Sequence, residues 1–81
     1  MIDATSPVTK YYQLKDILVK NIQDGKWPPQ SRMSSENELC EAYNVSRVTV
    51  RKAIDLLVQE GYVYTIKGKG TYVKGKYIEQ P

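Results

Sequence analysis

A small, mostly α-helical domain closed by a C-terminal β-hairpin is the fold this sequence predicts. Three stretches carry apolar residues at helical spacing, and after Gly61 the period changes from 3.6 to 2. Lys67-Gly68-Lys69-Gly70 then separates one β-rich run from another, as a hairpin turn does. A chain of 81 residues has room for one domain. Its 41% hydrophobic and 26% charged residues are ordinary for a folded one. A core of this size hides only about 60–65% of the unfolded surface, so it must be tightly made.

Residues 1–7 are polar and end at Pro7, which predicts a flexible lead-in to a domain spanning residues 8–73. From Val8 to Asp24, Tyr11, Leu14, Leu18 and Ile22 recur at spacings of 3, 4 and 4, with Ile17 beside them. They mark the inner face of a first helix whose outer face carries Lys10, Lys15, Asp16 and Lys20. Gly25 is placed to end it, and Trp27-Pro28-Pro29 forces an extended turn with Trp27 as a lid on the core. Ser35-Glu36-Asn37-Glu38 reads as a capping box starting a short helix from Glu36 to Tyr43, with Leu39, Ala42 and Tyr43 inward. Asn44 tolerates the left-handed conformation that closes such a helix, and Ser46 is the N-cap of a third helix running to about Glu60. Two helices joined by so short a turn form a helix-turn-helix, and the hairpin behind them is a wing.

Charge is divided unevenly along the chain. Residues 1–43 hold five Lys/Arg and six Asp/Glu, whereas residues 44–76 hold seven Lys/Arg against Asp55 and Glu60. A basic second half suggests a localised contact with a polyanion, and a solvated lysine-rich surface is the plainer alternative.

The third helix gives that contact a shape. Val50, Ala53, Ile54 and Leu57 share one stripe, while Val48, Arg51, Lys52 and Asp55 point the other way and Arg47 leads the first turn. Arg47 and Arg51 are one turn apart, and each guanidinium fork matches the O6 and N7 of a guanine. Surface ion pairing, for instance Arg51 with Asp55, is the competing use. Ser46 and Thr49 hydroxyls can donate to phosphates at the positive helix end. Val48 suits a thymine methyl, although lone exposed valines are common. Lys67 and Lys69, on a turn that Gly68 and Gly70 let approach a surface closely, suit a narrow minor groove. Tyr12, Tyr62, Tyr64 and Tyr72 have the spacing of core and sheet packing rather than of a base-stacking platform.

Other function classes find no support. The single cysteine, Cys40, excludes an internal disulfide and reads as a half-buried structural thiol; the absence of histidine leaves no plausible metal site. No catalytic constellation is present, so neither enzyme activity nor a cofactor is expected. Met1-Ile2-Asp3-Ala4 lacks the basic and apolar regions of a signal peptide, and no run is long enough to span a membrane, so a cytoplasmic protein is expected.

Residues Tyr11 to Val73 resemble the winged-helix DNA-binding domain of the GntR family of bacterial transcription regulators. The resemblance rests on Tyr11-Tyr12-Gln13-Leu14, Gly25-Lys26-Trp27-Pro28, Ser35-Glu36-Asn37-Glu38-Leu39, Val45 to Ala53, Glu60-Gly61-Tyr62 and Gly68 to Val73. The Lys-Gly-Lys-Gly-Thr wing is most similar to the branch with a chorismate-lyase-like (UTRA) sensing domain. The resemblance implies that Arg47 and Arg51 read operator bases, that Ser35, Ser46 and Thr49 hold phosphates, and that Gly68 and Lys69 enter the minor groove. It also implies homodimers on near-palindromic operators, and repression relieved by a small-molecule effector bound to another domain. Residues 74–81 are then a linker toward that domain, and the chain is part of a larger regulator. Three positions depart from the family pattern: Ser34 replaces a usual proline, Pro29 a usual glycine, and Asn37 a frequent arginine of the DNA interface. A winged-helix module that binds protein instead of DNA is the alternative, since fold alone does not fix function.

Overall fold

The computed structural model describes residues 9–74. The lead-in assigned to residues 1–7, and all of the proposed linker beyond Lys74, lie outside the described residues. Three helices and one antiparallel hairpin follow in order: α1 Lys10–Gln23, α2 Glu36–Tyr43, α3 Arg47–Gln59, β1 Val63–Ile66 and β2 Gly70–Val73. This is the winged helix-turn-helix expected.

Local chemistry sets the helix ends. At α2 the capping box forms, with Ser35 Oγ accepting from Glu38 N at 3.1 Å and Glu38 Oε1 accepting from Ser35 N at 2.8 Å. Asn44 closes α2 in the left-handed region, φ 53° and ψ 52°. Ser46 caps α3 by accepting from Thr49 N at 3.2 Å. α3 ends in a Schellman motif, in which Gly61 N donates to Val58 O and Tyr62 N to Leu57 O. Gly61 takes φ 84°, a conformation a Cβ would penalise.

α3 is the central element, packing on α1, α2 and β1. Its Val50, Ala53, Ile54 and Leu57 meet Leu14 and Leu18 of α1, Leu39 of α2, and Trp27, Met33, Val63 and Val73 in one cluster. Trp27 is buried there, as a lid on the core must be. Cys40 is half-buried and free.

The hairpin pairs Val63 with Val73, Tyr64 with Tyr72, Thr65 with Thr71 and Ile66 with Gly70. Gly70 therefore belongs to the returning strand rather than to the turn. Val63 and Val73 face the core, while Tyr64 and Tyr72 stack on the other face with centroids 5.8 Å apart. The outer edge of β2 is also occupied. Gln30 N donates to Val73 O, Val73 N to Ser31 O, and Met33 N to Thr71 O, each at 2.9 Å. The segment after Pro28-Pro29 is thus a short third arm of the sheet, which leaves less of the edge unpaired.

Three expectations need correction. Lys15 is not on the solvent face of α1: it is 7% exposed, with Nζ 3.1 Å from Asp16 Oδ1 and 3.5 Å from Glu60 Oε2. Ala42 is exposed, because an eight-residue helix seated through Leu39 turns Cys40 and Tyr43 toward its neighbours instead. Tyr12 is 45% exposed rather than packed in the core, and its ring lies 4.5 Å from Lys15 Nζ.

Candidate nucleic-acid interface

The outward face of α3 begins at its cap. Ser46 Oγ accepts from Thr49 N and donates to Thr49 Oγ1 at 3.1 Å. The Ser46 hydroxyl proton is thus engaged, and Thr49 holds the hydroxyl proton left to give at this helix end. Ser35 likewise spends its acceptor on the α2 cap, leaving its hydroxyl proton for an incoming anion.

Arg47 and Arg51 both project from the core, with side chains 50% and 62% exposed. Neither pairs with Asp55. Both converge on Glu36, the first residue of α2: Arg47 Nη1 donates to Glu36 Oε1 at 3.1 Å, and Arg51 Nε donates to Oε1 at 3.2 Å and Oε2 at 3.3 Å. Arg47 Nη2 also donates to Asn37 Oδ1. The two guanidinium groups are therefore presented differently. Among the described residues, Arg51 Nη1 and Nη2 have no partner, so its terminal fork is open, whereas both Nη groups of Arg47 are in use. Exposed ion pairs are worth about 0–1 kcal/mol, so these contacts bias the arginine rotamers without locking them.

Val48, the next residue after Arg47, is 63% exposed. Lys52 is exposed as well but leans toward α1, with Nζ 5.3 Å from the Tyr11 ring centroid, apart from the arginine pair.

On the wing, Lys67, Gly68, Lys69 and Gly70 are all exposed. Lys69 N donates to Ile66 O at 2.9 Å, closing a turn in which Gly68 takes φ 79°. Among the described residues neither Lys67 nor Lys69 makes an ion pair. Arg32, on the third arm, lays its side chain over Gly70, where a Cβ would fall 3.3 Å from its Cδ and Nε. It adds a cation beside the turn of the wing. No group of three or more metal-ligating side chains occurs among the described residues, and no helix there is long and apolar enough to cross a membrane.

Sequence reasoning misses two residues of this surface. It marks Glu36 only as part of a capping box, and Arg32 not at all. Glu36 meets residues 11 and 15 positions away across the helix-turn-helix, where no local periodicity operates. The one available hint is an acid opening the helix next to a cationic face.

The family model for bacterial regulatory proteins of the gntR family matches residues 10–73. The HTH-type transcriptional regulator YurK of Bacillus subtilis (strain 168) is 46% identical over 80 residues, 99% of this chain and 33% of that protein. The HTH-type transcriptional repressor NagR of the same organism is 40% identical over 79 residues, 98% of this chain and 32% of its own length. The chain thus spans about a third of the length of these relatives. Among solved structures, the AraR DNA-binding domain in complex with operator ORE1 superposes with a TM-score of 0.80 at 38% identity, covering 90% of this chain and 89% of that one. The chain belongs to the GntR family of bacterial regulatory proteins, as its winged helix-turn-helix DNA-binding domain.

Proposed function

We propose that this domain reads a specific double-stranded operator with α3 in the major groove and the wing in the adjacent minor groove. Arg51 and Arg47 take guanines; Val48 meets a thymine methyl; Ser35, Asn37, Thr49 and Lys52 hold the backbone around them, with Ser46 acting through the Thr49 hydroxyl it bonds. Lys67, Gly68, Lys69 and Gly70 carry the wing contact. The observation that carries the reading is the open Arg51 fork on an exposed helix face, one turn from Arg47. A protein-docking use of the same face would call for apolar surface, and among the described residues Val48 is the one exposed large apolar side chain in the first half of α3.

For the whole protein we propose a cytoplasmic repressor, acting as a homodimer on a near-palindromic operator and released by a small-molecule effector. Support comes from the family, from the chorismate-lyase-like branch its wing resembles, and from relatives that are repressors by name, NagR among them.

Selection of binding sites from a pool of random duplexes tests the base reading. The expected result is a consensus with a fixed guanine pattern, and paired half-sites would give the dimer geometry. Enrichment without a consensus, or the same consensus from Arg51→Ala, would refute it.

A further inference from the structure

We infer that Glu36 is a positioning residue for base recognition: its carboxylate holds Arg51 by Nε so that the Nη1/Nη2 fork points outward, and steadies Arg47 beside it. The inference rests on the base-reading role proposed for these arginines.

A carboxylate on a DNA-facing surface works against affinity, because it repels the phosphates that supply most of the attraction. Glu36 nevertheless sits where α2 begins, its side chain 35% exposed, in contact with both arginines. What it offers in return is order. A free arginine samples many rotamers, and fixing one on binding costs conformational entropy. Glu36 orders Arg51 beforehand. It does so through Nε and both carboxylate oxygens, leaving unpaired the edge that a guanine needs. Asn37 completes the cluster by accepting from Arg47 Nη2. The helix N-terminus explains why an acid is tolerated at the first position of α2, but not why its oxygens converge on two arginines of the next helix.

The test compares the parent chain with Glu36→Gln, Arg51→Ala and the double variant. Each is titrated with a duplex recovered by the selection above and with a scrambled duplex of equal composition. Glu36→Gln is expected to lower the preference for the selected duplex about threefold, the scale of one lost pre-ordering, while tightening binding to the scrambled duplex. In the Arg51→Ala background the same change should lower preference little further, because Glu36 acts through Arg51. Thermal melts run alongside; should Glu36→Gln melt well below the parent, Glu36→Asp, which keeps the charge at the helix start but shortens the reach, carries the same measurement. Undiminished preference in the Glu36 variant, or equal loss with and without Arg51, overturns the inference. If Arg51→Ala itself keeps full preference, the base-reading proposal fails and takes this one with it.

Discussion

Lys15 Nζ lies 3.5 Å from Glu60 Oε2, tying the first helix to the C-cap of α3. With Asp16 at 3.1 Å, the lysine is nearly enclosed. Burial alone would lower its pKa, but the hydrogen bond to Asp16 and the charges of Asp16 and Glu60 outweigh it and hold the pKa above the ordinary 10.5. The stabilisation is therefore complete below that ordinary value and is lost as pH rises through the folded one. Removing one carboxylate and replacing the cation probe different parts of the cluster. Glu60→Gln should cost about 1 kcal/mol in denaturant titration, since Glu60 is half-exposed and Asp16 still pairs the lysine. Lys15→Met should stay within about 1 kcal/mol of the parent and lose the part of the alkaline destabilisation that Lys15 causes. A Lys15→Met chain with an unchanged alkaline profile would remove the ion cluster from the account.

The helices and hairpin are legible in the sequence because each depends on neighbours within a few residues. The capping pair Ser35 and Glu38, and the one-turn core spacing of Val50 and Ile54, declare themselves locally. What stays hidden depends on partners brought from far along the chain. Lys15 looks like any surface lysine until Glu60 is placed beside it. Gln30, Ser31 and Met33 look like a loop until β2 offers its free edge. The site divides in the same way: the outward direction of Arg47 and Arg51 follows from helical period, while their shared carboxylate comes from another helix.

Charge and geometry at Arg51 can be separated. Lysine keeps the cation but cannot span two acceptors in one plane. Arg51→Lys should leave the salt dependence of binding near that of the parent while costing about 1–3 kcal/mol on the selected duplex. Titrations at several salt concentrations check both quantities together. Equal affinity for selected and altered guanine positions in the parent would argue that Arg51 supplies charge alone.

The wing lysines make a different prediction, because their contacts are proposed to be with backbone and groove potential. Lys69→Ala should weaken selected and scrambled duplexes alike and reduce the slope of log K against log salt by about one. Lys67→Ala should behave similarly. A loss confined to the selected duplex would assign the wing to base reading instead.

Gly68 and Gly70 flank the tip of the wing but differ in what a side chain would meet. At Gly68 a Cβ finds nothing within 4 Å, and the penalty is the φ of 79° alone. At Gly70 the φ is 131°, and the added atom would press on Arg32 Cδ and Nε at 3.3 Å. The position is paired with Ile66, so relaxing the backbone would disturb the hairpin at its tip. Gly68→Ala should therefore destabilise the chain by about 1 kcal/mol, and Gly70→Ala by roughly 1–3 kcal/mol. Because Arg32 is the exposed and flexible half of the clash, Arg32→Ala should recover part of the Gly70→Ala loss and none of the Gly68→Ala loss. Thermal melts of the two glycine variants in both backgrounds measure this, and equal recovery in the two would show that Arg32 does not bear on the wing.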